Sequence, residues 1–310
     1  MPKAIAADYR SKVHKPHDFD AFWDEVLEQA SAIPLDVEVV PDPLRTTGDV
    51  EVFEISYTSL DRVRIASWYC RPARRSERSP AIAFLPGYQM DPPIPKEWAR
   101  KGYVALSVAP RGKLRSNRQF NPGYPNLLTH NIVDRNTYAY RGFYVDAWRG
   151  IDVLLSRPEV DGARIGVTGS SQGGGLAVTT AAMRPEVRAA AAGVPYLCGF
   201  MDAIELTHTY PYEEINDYLR LHPERRSEVE DTVGYFDGIN FADKIACPII
   251  VNIGLQDNVC PPETGYALFE RIGATDKQLY PYDGHGHDGG RVRHGAIVDR
   301  FFAQHLQGER

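Results

Sequence analysis

The residues of this chain best suited to chemistry lie in Gly169-Ser170-Ser171-Gln172-Gly173-Gly174-Gly175. The frame is Gly-x-Ser-x-Gly, at Gly169, Ser171 and Gly173. Before it runs Arg164-Ile165-Gly166-Val167-Thr168, and after it Leu176-Ala177-Val178-Thr179-Thr180-Ala181-Ala182-Met183. A β-branched run, a sharp turn and a small-residue helix form the setting in which this spacing makes a nucleophile elbow. Glycines two before and two after the serine let strand and helix approach closely. The hydroxyl then stands at a helix N-terminus, where backbone N–H groups favour developing negative charge. A glycine-rich strand–helix turn without chemistry would carry the same five residues, and the flanking strand and helix weigh against that reading. Ser170 falls at the x position, one residue early, so the spacing selects Ser171.

A serine hydroxyl is a poor nucleophile near neutrality. It needs a base to take its proton and an acid to orient that base. In the strand–helix setting of this elbow, the partners follow in the order Ser, Asp or Glu, His. Asp257 follows the predicted strand 248–253, and His285 and His287 follow the last predicted strand, 277–282. Each candidate stands at the C-terminal end of a strand, where α/β sheets bind their ligands. Taken singly, Asp257 reads as a turn residue and a late histidine as a surface residue. Their order and strand positions together point to nucleophilic catalysis. The oxyanion of such a reaction needs two backbone donors. Gln172, directly after the nucleophile, supplies one. Tyr88, in the loop after the Phe84 strand, is the candidate for the other, with a packed aromatic as the competing reading.

The elements that position these residues are predicted as follows. Residues 17–32 form a helix with Phe19, Phe22, Trp23, Val26 and Leu27 on one stripe, Asp18 as cap and Pro34 beyond its end. Residues 50–57 and 63–71 form an antiparallel hairpin. A charged surface loop spans 71–80. Residues 81–85, 103–108, 164–169, 189–194, 248–253 and 277–282 read as strands, and 96–101, 144–155, 263–272 and 297–306 as helices. The stretch 113–137 lacks periodicity, and a loop of that length in a compact domain is usually functional. Residues 199–243 read as a helical insertion rich in Tyr, His and Glu. A hairpin followed by alternating strands and helices predicts a doubly wound, mostly parallel sheet with helices on both faces. With no internal repeat or low-complexity linker, residues 1–310 read as one domain, with an N-terminal helical arm over about 1–35 and a cap-like insertion over about 199–243.

Composition narrows the function classes. The chain has 310 residues, 43% hydrophobic and 25% charged, as soluble globular proteins do. A net charge of −6 argues against a general nucleic-acid or membrane-surface binder. No apolar run approaches the ~20 residues of a membrane span. Met1–Asp8 lacks the apolar core of a signal peptide. Cys70, Cys198, Cys247 and Cys260 are scattered, so reduced thiols in the cytoplasm are expected and a metal site is not.

Gly-Ser-Ser-Gln-Gly-Gly-Gly at 169–175 resembles the elbow of the acetyl xylan esterase and cephalosporin C deacetylase family, carbohydrate esterase family seven. The likeness covers nearly the whole chain. Asp18-Phe19-Asp20-Ala21-Phe22-Trp23 resembles the family's N-terminal Asp-Phe-Asp-x-Phe-Trp, and Arg111-Gly112 occupies its Arg-Gly-Gln position. Residues 194–198, 235–242 and 254–262 look like further family segments.

The resemblance implies an α/β-hydrolase fold and removal of acetyl groups from small esters, notably acetylated xylo-oligosaccharides and 3′-acetoxymethyl cephalosporins. It implies no metal or organic cofactor, and a cytoplasmic homohexamer whose active sites face an inner chamber. It carries over Ser171, Asp257 and a terminal histidine as catalytic residues, with Tyr88 and Gln172 as oxyanion donors. The family's Gln is replaced here by Lys113, which bears on acyl or alcohol preference. Its His-Glu pair corresponds either to His285-Gly286 or to His287-Asp288. His285 keeps the spacing from Tyr280-Pro281-Tyr282. His287 keeps the acidic neighbour, the following glycines and nearly the spacing to Phe301-Phe302, and is favoured. An α/β-hydrolase acting on other short acyl esters or amides is the alternative reading, since fold does not fix substrate.

Overall fold

The computed structural model describes residues 6–74 and 77–308. The start of the Met1–Asp8 stretch and two positions of the 71–80 loop lie outside them. The strands are β1 (Glu38–Pro41), β2 (Val50–Thr58), β3 (Arg64–Pro72), β4 (Ser79–Leu85), β5 (Val104–Ala109), β6 (Val160–Ser170), β7 (Val187–Gly193), β8 (Ile249–Gly254) and β9 (Lys277–Tyr282). They form one sheet in the order β1-β2-β3-β5-β4-β6-β7-β8-β9. The β1–β2, β2–β3 and β3–β5 pairs are antiparallel, and the pairs from β5–β4 onward are parallel. The helices are α1 (Phe19–Ser31), α2 (Lys96–Arg100), α3 (Ala139–Leu155), α4 (Gln172–Met183), α5 (Phe200–Leu206), α6 (Glu213–Leu221), α7 (Arg226–Gly234), α8 (Pro262–Arg271) and α9 (Arg291–Phe302). The mostly parallel, doubly wound α/β architecture is the one expected.

The central strands are largely apolar and buried where both of their faces are covered. Alternate residues go to different cores. Ala81, Ala83 and Leu85 of β4 join the core that holds α3 and α4, whereas Ile82 joins Phe302 and Leu306 on the other face. β1 escapes the sequence reading because it is a four-residue edge strand, largely exposed, and the alternation of Leu35, Val37 and Val39 leading into it is brief. The α3 helix begins at Ala139, five residues before its expected start, and α9 begins at Arg291 rather than near 297.

The α1 stripe buries Phe19, Phe22, Trp23, Val26 and Ala30. Trp23 packs between Tyr144 and Trp148 of α3 and Phe236 and Phe241 of the 199–243 segment, and its Nε1 donates to the Tyr235 carbonyl at 2.8 Å. Asp18 occupies the N-cap position, but its side chain makes no capping hydrogen bond. Its carboxylate accepts from Arg135 and from the Tyr235 hydroxyl instead.

A buried ion pair fixes the loop beyond β5. Arg111 Nε and Nη2 hold both carboxylate oxygens of Asp146, at 2.9 and 3.0 Å, with Nη2 also on the Leu60 carbonyl. The guanidinium is 6% exposed and the Asp146 side chain 0%. It lies flat on α3 where Gly142 leaves space: a Cβ there would fall 2.1 Å from the guanidinium carbon. Removing one partner strands a buried charge. Asp146→Ala should therefore lower unfolding free energy by about 3–5 kcal/mol, read from urea denaturation. An unchanged midpoint and slope would contradict this role.

Candidate active site

Ser171 adopts φ +59°, ψ −120°, at the junction of β6 and α4. A non-glycine residue rarely takes this conformation, and surrounding structure must impose it. Here the β7 end does so. Ser171 N–H donates to the Gly193 carbonyl at 2.9 Å, and the Ser171 carbonyl accepts from Tyr196 N–H at 3.0 Å. The glycine spacing has a steric cause. A Cβ at Gly173 would lie 2.1 Å from the Leu85 carbonyl oxygen, and one at Gly169 would lie 2.5 Å from the Gly173 carbonyl oxygen. The end of β4 therefore rests on the first turn of α4.

Asp257 sits in the turn after β8, its side chain 1% exposed. Its Oδ1 accepts from the N–H groups of Val259 and Cys260, at 2.8 and 3.0 Å. Its Oδ2 lies 2.8 Å from His287 Nδ1. With that nitrogen as donor, Nε2 is left as the free acceptor of the ring. The Asp257 turn and the loop after β9 are tied by Gln256 N–H on the His285 carbonyl, at 3.0 Å. The His285 ring turns elsewhere: its Nδ1 lies 2.7 Å from Asp288 Oδ2, which Arg291 also binds. The geometry thus joins His287, and not His285, to Asp257. Among the described residues no hydrogen bond links the Ser171 hydroxyl to His287. Catalytic contacts are often long before substrate binds. The Ser171 side chain instead neighbours the Cys260 thiol, whose pKa burial drives well above the ordinary value, with Asp257 and Cys198 adding to the rise and Ser171 opposing it.

Tyr88 and Gln172 both send their side chains into the interior. Gln172 Nε2 donates to the Tyr140 hydroxyl at 2.7 Å. The Tyr88 hydroxyl donates to Glu214 Oε1 at 2.6 Å and accepts from Leu128 N–H at 3.0 Å. Their backbone N–H groups remain. Gln172 is the first residue of α4, where N–H groups lack helical acceptors. Tyr88 N–H has no acceptor among the described residues. Gly87 is close to the elbow, its Cβ direction ending 3.9 Å from the Ser170 carbonyl oxygen.

Sequence reasoning singled out Lys113 only as a departure. In the structure it is 2% exposed and its Nζ donates to the carbonyls of Gly87, at 2.6 Å, and of Tyr88. Burial pushes its pKa down to about 7, with Asp91 pulling the other way. Glu214 of α6 was missed altogether. It is buried, it receives Asn126 N–H at 2.9 Å besides the Tyr88 hydroxyl, and burial raises its pKa. Nothing in the sequence separates it from the other acidic residues of that helix. A cavity of about 780 Å³ opens between residues 12–17, the 133–136 turn, α5 and α7, and none of the six predicted site residues lines it.

The model of the family described as acetyl xylan esterase (AXE1) matches residues 1–305. The chain belongs to the acetyl xylan esterase family. Acetyl esterase Axe7A of Xylanibacter ruminicola is 31% identical over 279 residues, covering 85% of this chain, and the chain spans 62% of that relative's length. An acetyl xylan esterase from Paenibacillus sp. R4 superposes with a TM-score of 0.91 at 32% identity, covering 99% of this chain and 100% of that one. Acetyl xylan esterase 1 from Thermoanaerobacterium sp. JW/SL YS485 superposes at 0.89 with 27% identity, covering 98% of each. The α/β-hydrolase fold and the family resemblance carried by the elbow both stand.

The two histidines of this acetyl xylan esterase family member differ in partner, so they should differ in effect. His287→Ala should reduce ester turnover by about 10³ or more, and His285→Ala only modestly, in steady-state assays of folded variants. Equal losses, or the larger loss at His285, would contradict the pairing.

Proposed function

We propose that this chain is a serine esterase that removes acetyl groups from small esters, using Ser171, His287 and Asp257. The observation that carries the reading is the 2.8 Å contact between His287 Nδ1 and a buried, otherwise satisfied Asp257, in a chain whose elbow holds Ser171 at positive φ. Asp257 fixes the ring so that Nε2 accepts the Ser171 proton. Ser171 Oγ attacks the acetyl carbonyl carbon. The resulting oxyanion is met by the N–H groups of Tyr88 and Gln172. His287 returns the proton to the departing alcohol, leaving an acetyl-serine. It then deprotonates a water, whose attack on the acyl carbon releases acetate and restores Ser171.

The same reading takes acetylated xylo-oligosaccharides as a substrate class, by likeness to two structures named acetyl xylan esterases that superpose over nearly their whole length, and 3′-acetoxymethyl cephalosporins by the resemblance of the elbow segment alone. It makes residues 1–310 one catalytic unit, supported by the packing of Trp23 on α3 and on the 199–243 segment. It takes the assembly to be a cytoplasmic homohexamer with enclosed active sites, with no nucleic-acid or membrane partner. Among the described residues no helix is long and apolar enough to cross a membrane.

Ser171→Ala should fold and lose turnover by up to about 10⁶ in kcat, while Ser170→Ala retains most of it. A folded Ser171→Ala protein with near wild-type turnover would sink the mechanism. In wild type, kcat/KM on p-nitrophenyl acetate should exceed that on the butyrate. The reverse order would refute the acetyl preference. Light scattering should return a mass six times that of the 34.7 kDa chain, and a monomer mass would remove the enclosed chamber.

A further inference from the structure

We propose that Lys113 is a positioning residue for the oxyanion site, holding the Tyr88 N–H in place by donating hydrogen bonds to the carbonyls of Gly87 and Tyr88. The inference rests on the esterase reading above. The two carbonyls belong to the two peptide planes that flank the Tyr88 α-carbon. The Gly87 carbonyl and the Tyr88 N–H share one of these planes and point opposite ways across it. An amine anchored on the Gly87 oxygen at 2.6 Å therefore directs the Tyr88 N–H away from Lys113. Binding the Tyr88 carbonyl as well fixes the second plane, and with it the backbone rotation at Tyr88. A donor on an amide oxygen also polarises that amide, which strengthens its N–H as a donor.

Lys113 is itself held rigidly. It follows Arg111, pinned by Asp146, and Gly112, which turns the chain at φ +83°. Lys113 N–H donates to the Pro110 carbonyl at 3.1 Å, and its own carbonyl accepts from Ser116 N–H at 2.7 Å. The amine lies 5.4 Å from the Tyr124 ring centre and 5.9 Å from that of Phe143. Burying a lysine is costly, and two carbonyls and two aromatic faces offset that cost here. The Tyr88 phenol is fixed from the other direction by Glu214 and Leu128 N–H. The tyrosine thus has its side chain and both flanking peptides held by hydrogen bonds. An oxyanion donor is effective only when it is held before charge develops.

The test compares Lys113→Met, which keeps length and removes the donor, with Lys113→Gln, which keeps an N–H donor. The substrate is p-nitrophenyl acetate, and Ser171→Ala is assayed in parallel. Thermal unfolding checks that each variant is folded, and Lys113→Leu replaces Lys113→Met if the latter is not. The expected result is a kcat loss of roughly 10- to 100-fold for the apolar variant, with KM held within about threefold, and a smaller kcat loss for Lys113→Gln. Wild-type kcat in the apolar variant would overturn the proposal. So would a loss confined to KM, or an equal loss in Lys113→Gln. An active Ser171→Ala would instead overturn the underlying esterase reading, which separates the two failures.

Discussion

The close approach of two backbones governs this site. The Leu85 carbonyl at the end of β4 rests where a side chain at Gly173 would have been, 2.1 Å from the position of its Cβ. That contact brings the Gly87–Tyr88 loop against the first turn of α4. In the proposed mechanism, this contact lets the N–H groups of Tyr88 and Gln172 serve one developing charge. The strained conformation of Ser171 belongs to the same packing, since the carbonyl of Gly193 and the N–H of Tyr196 grip both sides of its peptide unit. The glycines after the serine are thus a statement about interlayer distance.

Such proximity needs bracing, because loops at the ends of strands are otherwise the mobile parts of an α/β sheet. The chain braces this one with buried charge. Arg111 locks the turn after β5 to α3 through Asp146, and Lys113 reaches from that turn to the Tyr88 loop. Glu214 reaches it from the 199–243 segment through the Tyr88 hydroxyl. That segment is held in turn by α1, whose Trp23 bonds the Tyr235 carbonyl. Elements far apart in sequence therefore converge on one tyrosine.

Much of this was legible in the sequence, and the unread part has physical causes. The parallel core strands announced themselves as apolar runs, and the elbow by a spacing that few other structures require. Asp257 and the histidine loop were legible as residues that end consecutive strands. The choice between His285 and His287 leaned to His287 by family resemblance alone, because spacing in a glycine-rich loop does not fix which ring points inward. In the structure Asp288 holds the His285 ring, and Asp257 holds that of His287. β1 was missed because its alternation, Leu35, Val37 and Val39, is short and the strand is largely exposed at the sheet edge. Glu214 and the reach of Lys113 were illegible for another reason: both act across more than 25 residues of sequence on a backbone or phenol that carries no mark of being a partner.

In the proposed reaction Ser171 carries the acetyl group between its two halves. The direct measurement is to mix the enzyme with p-nitrophenyl acetate, quench in acid within the first turnovers, digest, and locate the added acetyl by peptide mass spectrometry. One acetyl group per chain is expected, on Ser171, with none in the Ser171→Ala protein. Acetyl on Ser170 or Cys260, or full turnover in which the Ser171 peptide never gains an acetyl group, would contradict it.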